Sequence, residues 1–94
     1  MPRVPSPAAA HIGAHIAELR RRRSMTQDQL AVASDIDSSN IRSYENGRSL
    51  MNVFSLVRIA EALEATPSEL LDGVTSDMFA TDRPDARRAR PLRR

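Results

Sequence analysis

The 94-residue chain contains no cysteine. Neither a disulfide nor a thiolate-held metal can therefore brace it. Lysine is also missing, so all 14 basic residues are arginine. Such a bias fits a GC-rich genome, and arginine also suits phosphate contacts. Tryptophan is absent too, and one Tyr and two Phe are the only aromatic residues. With 40% apolar residues, the core must be aliphatic and rich in alanine. No apolar run approaches the roughly 20 residues of a membrane span. The opening Met1-Pro2-Arg3-Val4-Pro5 lacks the apolar stretch of a signal peptide. The expectation is a soluble, cytoplasmic protein with no membrane partner, and the length suits one small domain.

Charge is unevenly spread. The formal total is +2. Residues 11–80 carry seven arginines against ten acids, a net of −3, whereas residues 81–94 carry six arginines against Asp82 and Asp85, a net of +4. The folded part is not basic overall, so an anion-binding surface there must come from local clustering. The run Arg20 to Arg23 circles one helical turn, so its four side chains cannot share one face. Arginines at a helix end are also favoured by the helix dipole alone. The 81–94 tail is expected to be disordered, and it could add non-specific phosphate affinity.

Three prolines in residues 1–10 suggest a flexible N-terminal arm, with Ser6-Pro7 suited to N-cap and first helical position. Ile12, Ile16 and Leu19 then recur at helical spacing up to Ser24-Met25. Thr26-Gln27-Asp28-Gln29 fits a capping box. It opens a second helix with Leu30, Ala31 and Ser34 inward. Asp35 stands at a break and tolerates left-handed backbone, and Ile36 plugs inward. Asp37 suits the N-cap of a third helix with Ile41 and Tyr44 inward and Gly47 at its end. Asn52 precedes a fourth helix marked by Val53, Leu56, Ile59, Ala60 and Leu63. Thr66-Pro67-Ser68-Glu69 opens a short fifth helix that stops at Asp72-Gly73. Val74, Met78 and Phe79 suit one more apolar turn. Five helices without a strand signal predict an all-α domain over residues 11–80.

The second and third helices are each too short to be stable alone. The third opens with Asp37-Ser38-Ser39-Asn40, which has almost nothing to bury. A helix–turn–helix accounts for both facts. Its second helix presents its polar start to base edges in the major groove, while the first crosses the phosphate backbone. Ala31 supplies the small side chain at the crossing, and Ile36, Ile41 and Tyr44 anchor the far side.

Over residues 12–73 the sequence resembles the phage-repressor/Cro-type, or XRE-like, helix-turn-helix family. The resemblance is carried by Ile12-Gly13, Leu19-Arg20, Thr26 to Ala31, Ile41, Tyr44-Glu45-Asn46-Gly47, Ile59-Ala60 with Leu63, and Ser68 to Leu71. Two departures are Asp35, where the family usually has glycine, and Ser34, where it usually has an apolar residue. The resemblance implies a five-helix Cro/repressor-type fold and a transcriptional regulator that binds double-stranded DNA. By match, Gln27 implies a phosphate contact that also braces the third helix. Ser38, Ser39 and Ser43 imply base-facing positions, with Arg42 beside them able to reach a guanine or a phosphate. Asn46 and Arg48 imply backbone contacts, and Arg20 with Glu45 implies an ion pair.

A domain this small meets about one half-site, so a homodimer on a palindromic or pseudo-palindromic operator is expected. Pro67, Leu71, Val74, Met78 and Phe79 are its expected contact. Restriction–modification controllers are similar in size and architecture. So are the antitoxins of toxin–antitoxin pairs, which makes a protein partner, a toxin or the polymerase, the competing reading. His11 and His15 have the i, i+4 spacing of zinc ligands, but no third ligand accompanies them. No catalytic triad is evident, so neither metal, cofactor nor enzymatic activity is expected.

Overall fold

A computed structural model describes residues 6–79. The Arg-rich tail and residues 1–5 of the expected arm lie outside the described residues. Five α-helices and a closing 3₁₀ turn follow one another: α1 (Pro7–Arg22), α2 (Gln27–Ser34), α3 (Ser38–Glu45), α4 (Val53–Ala62), α5 (Pro67–Leu70) and the 3₁₀ turn Ser76–Met78. The described residues contain no strand, so the all-α expectation holds.

Side chains start four of the helices. At α1 the Ser6 hydroxyl accepts from the Ala9 N–H at 3.1 Å, and Pro7 follows as first helical residue. At α2 the Thr26 hydroxyl accepts from the Gln29 N–H (3.0 Å), while the Gln29 amide oxygen accepts from the Thr26 N–H (2.8 Å). The same reciprocal pair joins Thr66 and Glu69 at α5. Asn52 Oδ1 accepts from the Ser55 N–H at α4. Each such cap is worth about 1 kcal/mol. Helix α3 is the exception: Asp37 occupies the N-cap position, but its side chain accepts no hydrogen bond there.

Helices α1 to α4 end alike. The residue at the reversal is left-handed: Ser24 (φ 57°), Asp35 (φ 59°), Gly47 (φ 73°) and Glu64 (φ 56°). In each, the following N–H reaches back five residues: Met25 to Arg20, Ile36 to Ala31, Arg48 to Ser43 and Ala65 to Ala60. In this Schellman motif the last residue commonly packs back on the helix it closes. Met25, Ile36 and Ala65 pack against the core in that way, whereas Arg48 is exposed.

Ile16, Leu30, Ile41, Ile59 and Leu70, one from each helix, are fully buried together. Each contributes roughly 1.5–3 kcal/mol on burial. Ile12, Leu56 and Leu63 complete the aliphatic core. Val53, expected on the apolar face of α4, is exposed at the helix's first residue.

Helix α1 begins inside the stretch expected to be an arm. Ser6, Ala8 and Ala9 are buried, and a side chain built on Gly47 would lie 2.9 Å from the Ala10 Cα. Alanines make this docking possible because they allow backbones to approach, yet they leave no strong periodic signal in a sequence. Near its middle α1 approaches α3 even more closely. A β-carbon on Gly13 would fall 2.2 Å from the Tyr44 carbonyl oxygen and 2.8 Å from that of Glu45. The two histidines fasten α1 to α5: His11 Nε2 bonds the Asp72 carbonyl at 2.7 Å and His15 Nδ1 the Leu70 carbonyl at 3.2 Å. Their rings meet edge to face, with centroids 4.6 Å apart. Their helical spacing thus serves to cap a helix end.

Candidate nucleic-acid interface

The position of α3 is fixed from beneath by Glu45, its last residue. Arg20 of α1 grips the carboxylate with two donors, Nε to Oε2 (2.7 Å) and Nη2 to Oε1 (3.1 Å). Its third donor, Nη1, bonds the Met25 carbonyl at 2.7 Å. Gln27, the first residue of α2, donates from Nε2 to Glu45 Oε1 at 3.0 Å. The Glu45 side chain is only 4% exposed and that of Arg20 12%. A bidentate pair at such depth is oriented as well as charged. It ties α1, α2 and α3 at one point.

With that side of α3 committed, the opposite side is set by helical periodicity. Ile41 is buried, and Tyr44 and Glu45 are half-buried or deeper. At about 100° per residue, Ser39, Arg42, Ser43 and Asn46 therefore share the outer face, flanked by Ser38 and Asn40. Ser39, Asn40, Arg42 and Asn46 are exposed. Ser43 is half-buried, its hydroxyl 2.9 Å from that of Ser49 in the next loop. Arg42 Nη2 lies 3.5 Å from Asp28 Oδ1 on α2.

The turn between α2 and α3 has a clamp of its own. Arg58 of α4 donates from Nε to the Ser34 carbonyl (2.9 Å) and from Nη2 to the Asp35 carbonyl. Its Nη2 also lies 3.3 Å from the Asp35 carboxylate. The guanidinium covers the Phe54 ring at 4.7 Å. Ser34 is buried, but its hydroxyl donates to the Leu30 carbonyl at 2.7 Å, so no polar group is stranded. Both departures at this turn are thus accommodated. Asp35 adopts the left-handed backbone that glycine would otherwise supply, and Ser34 satisfies itself within α2.

Two short helices joined by a left-handed turn, the second braced from beneath and exposing a polar face, make a helix–turn–helix. The helix-turn-helix domain family matches the chain over residues 11–72. The chain belongs to this family. Among similar proteins is an uncharacterized HTH-type transcriptional regulator, y4dJ, of Sinorhizobium fredii. It is 30% identical over 70 residues, which cover 74% of this chain and 91% of that one. The crystal structure of the restriction-modification controller protein C.AhdI from Aeromonas hydrophila superposes with a TM-score of 0.65 at 29% identity, covering 66% of this chain and 94% of that one. The clp gene regulator ClgR from C. glutamicum gives a TM-score of 0.65 at 25% identity, covering 68% and 83%. The resemblance carried by the motif residues is borne out, as is its likeness to restriction–modification controllers. The chain is a DNA-binding regulator of the helix-turn-helix type.

Within this helix-turn-helix domain, the expected site residues fall into two groups. Ser38, Ser39, Arg42, Ser43 and Asn46 lie on or beside the outer face of α3, with Arg48 exposed just beyond it. Gln27 is apart from these, half-buried and bonded to Glu45. The residues expected at a subunit contact lie elsewhere, on α5 and the segment after it. Pro67, Leu71 and Phe79 are exposed, Met78 is half-buried, and Val74 packs on its own domain's core. The sequence reading missed Asn40, Asp28, Ser49 and Arg58. Asn40 had a signal, since asparagine is the side chain that pairs with adenine. Arg58 had none at the turn, because the Ser34 and Asp35 groups it holds are brought near by the fold. Of the Arg20–Arg23 run, Arg22 pairs with Glu18 (2.7 Å) and Arg23 with Glu64 (3.0 Å), both at the surface. Three of these four arginines thus have carboxylate partners.

Proposed function

We propose that the protein is a sequence-specific transcriptional regulator of the cytoplasm, acting as a homodimer on a palindromic or pseudo-palindromic operator. The observation that carries this reading is the outer face of α3, polar and exposed above the Arg20–Glu45–Gln27 brace. Arg42 presents a planar fork of donors that matches guanine O6 and N7. Ser38, Ser39 and Ser43 offer hydroxyls to adjoining edges, and Asn46, Arg48 and Gln27 suit phosphates. Paired copies would place two α3 helices in successive major grooves, roughly 34 Å apart. Selection of bound duplexes from a randomised pool by the purified chain should enrich two inverted half-sites centred about 10 base pairs apart. A pool that stays random overturns the reading.

Two variants sharpen it. On the selected duplex, Arg42→Ala should lose about 1–3 kcal/mol of binding and relax preference at a single base position. An equal loss on every duplex would move Arg42 to a phosphate, and no loss would remove it from the interface. For the dimer, the supporting feature is the exposure of two large apolar residues, Leu71 (38% exposed) and Phe79 (43% exposed), in the same stretch as the exposed Pro67. Phe79→Asp should sediment as a folded monomer that binds the operator more weakly. A dimer of unchanged strength would place the contact elsewhere.

A further inference from the structure

The carboxylate that meets Arg42 on the proposed reading face belongs to Asp28, the second residue of α2. Its side chain is 74% exposed, and it meets the half-exposed Arg42 guanidinium at 3.5 Å. Local structure does not require a carboxylate there. The start of α2 is already capped by the reciprocal Thr26–Gln29 pair, and Asp28 is an exposed residue. What the carboxylate does is occupy ground that suits an anion. The first turn of a helix carries partial positive charge and open N–H donors, and Arg42 adds a full charge. The neighbouring Gln27 amide spends one of its two N–H donors on Glu45.

We propose that Asp28 sets the ratio of sequence-specific to sequence-independent DNA binding, by standing where a backbone phosphate would otherwise pair with Arg42 and the first turn of α2. The inference rests on the reading that the outer face of α3 meets DNA. A phosphate approaching Arg42 must displace one carboxylate and then face its charge. A guanine edge is different, because O6 and N7 are acceptors without net charge. Arginine has five N–H donors, so Arg42 can turn two of them to guanine while another stays near Asp28. The carboxylate therefore penalises the phosphate contact and leaves the base contact open. In a domain whose residues 11–80 carry net negative charge, this penalty falls on one of the few arginines of the reading face.

The test uses the full chain and a labelled random-sequence duplex of about 24 base pairs, long enough for two half-sites. Binding is followed by fluorescence anisotropy across a salt series for wild type, Asp28→Asn, Arg42→Ala and the double variant. Asp28→Asn should bind the random duplex about five- to tenfold tighter at low salt. Its plot of log affinity against log salt should steepen by about 0.9, the signature of one more neutralised phosphate. On the selected operator its gain should be about twofold or less, so that the ratio of operator to random affinity falls. In the Arg42→Ala background the gain should vanish. Equal affinity of wild type and Asp28→Asn for the random duplex overturns the proposal. So does a gain that survives removal of Arg42, which would mean general charge repulsion. Failure of the wild type to bind any duplex, the selected one included, sinks the DNA-binding reading itself and is read independently of the other arms. Asp28 is exposed, and unchanged helical circular dichroism checks that each variant is folded.

Discussion

Glu45→Ala is expected to destabilise the domain by about 3–5 kcal/mol, the cost of leaving a buried charge without its partner. The alanine variant strands the guanidinium of Arg20, whose side chain is 12% exposed in the intact domain, with the Met25 carbonyl left to accept from it. Gln27 loses its acceptor as well. Equilibrium unfolding in denaturant measures the loss directly. A double-mutant cycle with Arg20→Ala then isolates the pair, because removing both partners spares the stranded charge and should cost less than the two single losses added. Exposed pairs such as Arg22–Glu18 give at most about 1 kcal/mol. A Glu45 loss of that size would show that water screens the pair in solution. DNA binding should fall further than the folded fraction does, because α3 loses the anchor that fixes its tilt.

Gly13→Ala is the second large effect, and its sign runs against helix propensity. In a helix interior, alanine is ordinarily better than glycine by roughly 0.5–1 kcal/mol. Here the added methyl would lie 2.2 Å from one backbone oxygen of α3 and 2.8 Å from another. Neither oxygen belongs to a side chain that can swing away, so α1 and α3 must move apart. Overpacking of this kind costs about 1–3 kcal/mol and sometimes more, and the backbone contact puts Gly13→Ala at the upper end. For a domain of this size, a loss of about 3 kcal/mol lowers the melting temperature by roughly 12–24 °C. Thermal denaturation of the variant checks this, and a melting temperature equal to that of the wild type would mean that the two helices cross at a greater distance.

The five helices were legible in the sequence because their boundaries are written in local chemistry. Thr26 with Gln29, Thr66 with Glu69, Asn52, and Asp35 at the turn each act on backbone a few residues away. The core was legible for a similar reason, since Ile12, Ile16, Leu30, Ile41, Leu56 and Ile59 follow the helical period. The pairing of Arg20 with Glu45 came from the family resemblance, because nothing local joins residues 25 positions apart. Alanines 8–10 escaped notice because they bury little area and give the period little weight. Arg58 and Asp28 escaped it because their partners are distant in sequence. The outer face of α3 was predicted as a set of residues. Its occupancy, Ser43 with Ser49 and Arg42 with Asp28, needed coordinates.

The left-handed helix ends divide the molecule's tolerance to mutation. Gly47 touches Ala10, and Asp35 sits under the Arg58 clamp, so both are tied to neighbours that position the reading face. Ser24 and Glu64 hold the same left-handed backbone at the ends of α1 and α4, and neither belongs to the proposed reading face. A non-glycine residue in this conformation forgoes about 1 kcal/mol that glycine would recover in part. The chain therefore carries a reserve of stability that evolution or an engineer can draw on while leaving its DNA preference alone. A lineage that first fills this reserve could then accept costlier changes on α3, and so drift toward a new operator without passing through an unfolded intermediate.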